Sequence, residues 1–218
     1  MAPYSKDDLR KAMRLYAVTD NAWLNGRTLA DCVRQAITGG ATFVQLRNKG
    51  AEATHENTVA LAKELAAICH AADVPFVVDD DVEAARVSGA DGVHVGQSDA
   101  ACETARQILG PDAIVGVSAQ TLEQALAAQA AGADYLGVGA MIETSTKPDA
   151  VAVTKEELAR ICAAVDIPVV AIGGLHCETL GILEDTGVDG AAVVSAIFAA
   201  DDIEQATRDL AVALEEVL

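Results

Sequence analysis

Gly89-Ala90-Asp91-Gly92-Val93-His94-Val95-Gly96 compresses a helix end, a turn and a short apolar strand into eight residues. Glycine stops a helix because it enters the left-handed backbone region without a Cβ clash. The signature recurs as Gly132-Ala133-Asp134-Tyr135 and Gly187-Val188-Asp189-Gly190, with Gly39-Gly40-Ala41-Thr42 as a looser copy. Each copy launches a strand, at 92–95, 135–138, 191–194 and 43–46. Further apolar, β-prone runs lie between the copies, at 15–19, 76–78, 114–117 and 169–172.

Helical spacing and good helix formers fill the intervals, as at 52–72, 121–131, 154–165 and 203–217. Thr121 and Thr154 stand as N-caps, with Gln124 and Glu157 three residues on in capping-box register. Strands that alternate with helices and are continuously apolar must be covered on both faces. The expectation is therefore an α/β chain forming a single-domain (β/α)8 TIM barrel over residues 1–218. A doubly wound open sheet is the alternative. It is disfavoured because Thr19-Asp20-Asn21, rather than a glycine-rich turn, follows the first strand.

Bulk properties narrow the function. The net charge of −18 repels nucleic acid, so no such partner is expected. No apolar run reaches the length of a membrane span, and the first eight residues lack the apolar core of a signal peptide. Five scattered cysteines, without metal-ligand spacing, suit a reducing compartment, and a cytoplasmic protein is expected. The sequence leaves open whether the chain forms a homo-oligomer.

Polar clusters break the apolar pattern where strands end. Gln45, Arg47 and Lys49 alternate, so they project from one side and suit a pyrophosphate, whose oxygens need several donors. Asp79-Asp80-Asp81 follows the third strand, and Asp99 the fourth; one carboxylate from each of two adjacent strand ends is a common Mg²⁺ arrangement. Asp80 or Asp81 is also suited to cap a helix at 82–87, and Asp99 to cap one beginning at Ala100. Ser118 points a hydroxyl into the same mouth, and Thr144-Ser145-Thr146-Lys147 forms a donor-rich loop after strand six. Gly173-Gly174 and Val194-Ser195 end strands seven and eight, the usual phosphate site of the barrel. His94 alternates within its strand and is expected to be packed and hydrogen-bonded, while His55, His70 and His176 are expected at the surface.

In order along the chain, these motifs resemble the thiamine-phosphate synthase family. The carriers are Leu15-Tyr16-Ala17-Val18-Thr19-Asp20, Val44-Gln45-Leu46-Arg47-Asn48-Lys49, the block 89–99, Gly116-Val117-Ser118, Thr144-Ser145-Thr146-Lys147, Ile172-Gly173-Gly174 and Val194-Ser195-Ala196-Ile197. The resemblance implies a (β/α)8 transferase that joins a hydroxymethylpyrimidine diphosphate to a thiazole phosphate, releases pyrophosphate and uses Mg²⁺. It implies that Gln45, Arg47, Lys49, Ser118 and Lys147 bind the pyrimidine diphosphate, with Leu46, Asn48 and Asp79 in the same block of substrate contacts. Asp80 and Asp99 would hold the metal, and Thr144, Ser145, Thr146, Gly174, Val194 and Ser195 the thiazole phosphate. Arg47, Lys49, Ser118 and Lys147 would carry the catalysis.

Three departures stand out. Asp79 replaces a frequent Asn, Gln120 a frequent His, and Gly139-Ala140-Met141 a frequent Gly-Pro-aromatic. An ionised Asp only accepts, so Asp79 suits an exocyclic amino group rather than a ring nitrogen or a phosphate. A thiazole tautomerase of the same fold is the nearest rival, and Gln120 removes a histidine that proton transfer might otherwise employ. A Schiff-base aldolase acting through Lys49 or Lys147, and a non-catalytic phosphate sensor, are the more distant alternatives.

Overall fold

The computed structural model describes residues 4–50, 53–142 and 152–218, and at residues 99 and 100 the backbone alone. Eight parallel strands close into one barrel in sequence order. They are β1 (Leu15–Val18), β2 (Phe43–Leu46), β3 (Phe76–Asp79), β4 (Gly92–Val95), β5 (Ile114–Ala119), β6 (Tyr135–Gly139), β7 (Val169–Ile172) and β8 (Gly190–Val193). The helices are α1 (Lys6–Ala12), α2 (Leu29–Gly39), α3 (His55–Ala71), α4 (Val82–Ser88), α5 (Asp99–Leu109), α6 (Leu122–Ala130), α7 (Lys155–Ala164), α8 (Ser195–Phe198) and α9 (Ile203–Val217).

Period-two alternation divides each strand between two cores. Val44 and Leu46 of β2 face outward to the helix layer, as do Val93 and Val95 of β4. Phe43, Tyr16, Val77, Ile114, Tyr135 and Val170 fill the barrel interior, and Leu9 of α1 with Met13 packs against them. Because both faces are buried, the strands read as unbroken apolar runs, which is why their positions were legible without an alternating pattern.

The helix-to-strand signature has a second function beyond stopping helices. Gly89, Gly132 and Gly187 take positive φ as expected. The aspartate that follows each then reaches down to the preceding strand. Asp91 accepts from Phe76 N at 2.8 Å, Asp134 from Val115 N at 2.7 Å and Asp189 from Val169 N at 2.8 Å. In the looser copy Thr42 Oγ1 accepts from Leu15 N at 2.8 Å. Four side chains thus satisfy a backbone donor at the amino-terminal end of every odd-numbered strand, where an unpaired N–H would cost about 1–3 kcal/mol.

Some boundaries and caps differ from expectation. The third signature ends a 3₁₀ segment, Cys177–Leu183, so the β7-to-β8 crossover lacks an α-helix. Thr121 and Thr154 do cap α6 and α7, accepting from Gln124 N and Glu157 N. The reciprocal half of each box goes elsewhere: Gln124 Oε1 accepts from Gln120 N, and Glu157 Oε1 from Leu122 N, tying α7 to α6. α3 starts at His55 behind the cap Thr54, later than the spacing suggested, and Glu52 lies outside the described residues. Among the described residues no helix is long and apolar enough to cross a membrane.

Candidate active site

A cavity of about 550 Å³ opens at the carboxyl ends of the strands. Alternation along β2 and the residues beyond it brings Gln45, Arg47 and Lys49 to its wall together. The side chains of the intervening residues, Leu46 and Asn48, do not join them at the wall. Leu46 is fully buried in the helix-facing core. Asn48 is also buried, receiving a hydrogen bond from Asn21 at 2.5 Å and giving one to Thr58 at 2.9 Å, so it ties the loop to β1 and α3.

Arg47 and Lys49 each already hold a carboxylate. Arg47 Nη1 lies 2.8 Å from Asp20 Oδ2. Lys49 Nζ lies 2.9 Å from Asp79 Oδ2 and 2.7 Å from Asp80 Oδ2. Partial burial works against the charged form of Lys49, but the hydrogen bonds to Asp80 and then Asp79 outweigh it and hold the ammonium's pKa above 10.5. Asp80 reaches this position from left-handed backbone, φ +60°, with its amide donating to His94 O at 2.9 Å. Asp81 turns away, caps α4 by accepting from Ala84 N at 2.8 Å, and pairs with His55. Of the two capping readings for this cluster, Asp81 fills the role, and His55 is exposed as expected.

α5 begins at Asp99 itself, with Ser98 in the N-cap position, so Asp99 is not the cap. Its side chain lies outside the described residues, as do Thr144, Ser145, Thr146 and Lys147 entire. Hard carboxylate oxygens at a mouth that also carries cations fit Mg²⁺, which takes one or two carboxylates and draws further ligands from phosphate and water. Among the described residues, Asp79 and Asp80 are the carboxylates that line the cavity.

The opposite wall is built from backbone. Gly173, Gly174, Val194 and Ser195 all line the cavity. Gly174 has φ +70°, and a Cβ there would lie 2.6 Å from Ile142 Cβ, so both conformation and the close approach of the β6 loop demand glycine. Ser195 and Ala196 open the short α8, whose first internal bond runs from Ile197 N to Val194 O at 3.2 Å.

Sequence reasoning missed the polar floor. Gln45 Nε2 donates to Tyr16 Oη at 2.7 Å, and Tyr16 Oη is 2.7 Å from Tyr135 Oη. Tyr135 Oη lies 2.9 Å from His94 Nδ1, and His94 Nε2 lies 3.0 Å from Ser118 Oγ. His94 is packed and hydrogen-bonded, as its place in the strand suggested. Glycine makes the room: a Cβ on Gly116 would fall 2.1 Å from the Tyr135 ring, and one on Gly137 would fall 3.1 Å from His94 Cε1. Burial raises both phenol pKa values well above the ordinary value. The available signal was alternation, which puts Tyr16, His94, Gly116, Ser118, Tyr135 and Gly137 all on the inner face.

Residues 15–197 match the family model described as thiamine monophosphate synthase. The thiamine-phosphate synthase of Ruminiclostridium cellulolyticum is 46% identical over 198 residues, covering 90% of this chain and 92% of that protein. That of Clostridium botulinum is 43% identical over 196 residues, covering 90% and 91%. The solved structure of thiamine phosphate pyrophosphorylase from Pyrococcus furiosus superposes with a TM-score of 0.87 at 40% identity, over 96% of this chain and 99% of that one.

Proposed function

The chain belongs to the thiamine monophosphate synthase family, and on that premise we propose that it joins 4-amino-2-methyl-5-(diphosphooxymethyl)pyrimidine to a thiazole phosphate, giving thiamine phosphate and pyrophosphate. Membership makes it an enzyme, a transferase of thiamine biosynthesis. The observation that carries the finer reading is the pairing of two cations, Arg47 and Lys49, with a largely apolar cavity that also meets the glycine-built wall at Gly173-Gly174. In this reading two anionic groups occupy separate places in the cavity, with the two rings between them.

In this reading Arg47 and Lys49 hold the diphosphate and neutralise the charge that grows on it as the C–O bond breaks. A charge-assisted hydrogen bond of this kind contributes roughly 1.5–3 kcal/mol, about one to two decades in rate where it acts mainly in the transition state. Asp80 and Asp99 are the residues that would hold Mg²⁺; when bound, the ion supplies further positive charge beside the diphosphate oxygens. Gln45 and Ser118 orient the pyrimidine, whose electron-rich ring carries the positive charge left at its methylene. Val18, Val170 and Ile172 line the cavity with apolar surface, which keeps water from that centre until the thiazole nitrogen attacks. The thiazole phosphate is held by the amides near Gly174, Val194 and Ser195, with Thr144, Ser145, Thr146 and Lys147 completing the set. No side chain has to act as a strong base, and none forms a covalent intermediate.

The setting proposed is the cytoplasm, in keeping with five free thiols, of which Cys32, Cys69 and Cys102 are buried. The test is formation of thiamine phosphate from the two purified precursors with Mg²⁺, repeated in excess chelator and with a 2-trifluoromethyl pyrimidine. Product is expected from the natural pair, with steep losses under both perturbations. Absence of pyrophosphate release, together with solvent proton exchange into a thiazole phosphate, would replace this reading with a tautomerase.

A further inference from the structure

All three guanidinium nitrogens of Arg27 donate to backbone carbonyls. Nε reaches Leu24 O at 3.1 Å, and Nη2 reaches Trp23 O at 2.9 Å and Phe198 O at 3.1 Å. Nη1 reaches Ala200 O at 2.8 Å and Asp201 O at 3.5 Å. Trp23 and Leu24 belong to the loop between β1 and α2, whereas Phe198, Ala200 and Asp201 belong to the end of α8 and its link to α9. A helix as short as Ser195–Phe198 leaves its last carbonyls without intrahelical donors, and a cation is favoured at that end. The guanidinium is planar, permanently charged and holds its donors in a rigid fork, so it sets the position of α8 against the loop.

This helix is part of the cavity wall. Val194, Ser195, Ala196 and Ala199 line the cavity, while Ile197 and Phe198 are buried in the helix-facing core. Apolar burial is non-directional: it keeps α8 on the barrel without fixing its place along its own axis. The Arg27 bonds supply that fixed place, although Arg27 itself does not line the cavity. The start of the same loop is anchored independently, to the residues after β2. Arg47 N donates to Thr19 Oγ1 at 3.0 Å, Arg47 Nη1 to Asp20 Oδ2 at 2.8 Å, and Asn21 Nδ2 to Asn48 Oδ1 at 2.5 Å. Cutting the Arg27 bonds therefore releases α8 and leaves the Arg47 side of the mouth in place.

We propose that Arg27 is a positioning residue for the thiazole phosphate, fixing residues 194–199 of the cavity wall through the carbonyls at their far end without touching the substrate. The inference rests on the placement of that phosphate given above. A split between the two Michaelis constants tests it. Arg27→Ala is expected to raise the KM for the thiazole phosphate by about 10-fold, because a small misplacement of binding groups is enough to cost such a factor. The KM for the pyrimidine diphosphate and the inhibition constant of pyrophosphate should stay within about twofold of wild type, since their anchors are separate. Arg27→Lys keeps the charge but lacks the fork, so its KM for the thiazole phosphate should remain close to that of Arg27→Ala. A wild-type value in Arg27→Lys would make Arg27 a distant charge and overturn the proposal. Equal changes in both Michaelis constants, or none, in a folded variant would mark a purely structural role and overturn it as well. A thermal melt identifies a variant that fails to fold; if Arg27→Ala does so, the comparison of Arg27→Lys with wild type decides. A wild-type protein that made no thiamine phosphate from the natural precursors would instead overturn the reading beneath the proposal.

Discussion

Replacing Asp20 by Asn removes one negative charge from the mouth while keeping the shape of the loop. Asp20 does two things: Oδ1 accepts from Ala22 N at 2.9 Å to cap the 3₁₀ segment Asn21–Trp23, and Oδ2 holds Arg47 at 2.8 Å. Asn caps about as well as Asp, so the local turn should survive. The Arg47–Asp20 side chains are only 19% and 16% exposed, which puts the pair near the top of the ~0–1 kcal/mol range for solvent-accessible ion pairs. A diphosphate that must take Arg47 from Asp20 loses that amount. Asp20→Asn should therefore lower the KM for the pyrimidine diphosphate, and the inhibition constant of free pyrophosphate, each by up to about 5-fold, since ~1 kcal/mol corresponds to that ratio. Tighter product binding should leave kcat unchanged or lower. Initial rates with and without added pyrophosphate measure both constants, and a melting temperature within about 4 °C of wild type confirms an intact loop. A rise in both constants at unchanged melting temperature would refute the reasoning, because Asp20 would then be assisting the anion rather than competing for its arginine.

Further outcomes follow from the other groups. Asp80→Ala should cut turnover by orders of magnitude, with excess Mg²⁺ restoring part of it; unchanged rates of the wild-type enzyme in excess chelator would exclude the metal. Lys49 has its pKa raised in the folded state, so its ion pairs contribute stability that is complete below about pH 10.5 and fades as pH climbs through the higher folded value. The urea midpoint of wild type should thus fall toward that of Lys49→Met at strongly alkaline pH and exceed it at neutral pH. Asp134→Ala removes the acceptor for the buried Val115 amide and a partner of Arg106, at a cost of about 2 kcal/mol or some 4–8 °C in melting temperature. The kcat of the folded fraction should be unaltered.

Most of the barrel was readable because strands buried on both faces announce themselves as apolar runs, and because glycine ends helices for a reason intrinsic to its own backbone. Strand ends were less so: β3, β5 and β6 extend to Asp79, Ala119 and Gly139, polar or small residues that a search for apolar runs leaves out. The alternating cations were also visible, since Gln45, Arg47 and Lys49 depend only on local periodicity. Their partners were not. Asp20 meets Arg47 across 27 positions, and Tyr16 meets Tyr135 across 119; such pairings come from closure of the barrel and leave no local trace. The partners of Asn48 were equally hidden: its neighbours Arg47 and Lys49 line the cavity while its side chain turns to Asn21 and Thr58. Nothing in composition distinguishes a capping Asp81 from a rim-facing Asp80, as the backbone at φ +60° alone separates them.

The four side chains at the closed end of the barrel divide it into quarters. Thr42, Asp91, Asp134 and Asp189 each bind an amide 27, 15, 19 or 20 positions earlier in the chain, always joining an odd strand to the even one after it. Circular permutation makes the asymmetry concrete. New termini cut before β3, β5 or β7 leave each of these bonds inside one short continuous stretch. A cut before β4, β6 or β8 moves one carboxylate and its amide to opposite ends of the rearranged chain. The barrel is round in space, yet it has preferred seams, and rearranged chains opened at those seams are the ones that should refold fastest.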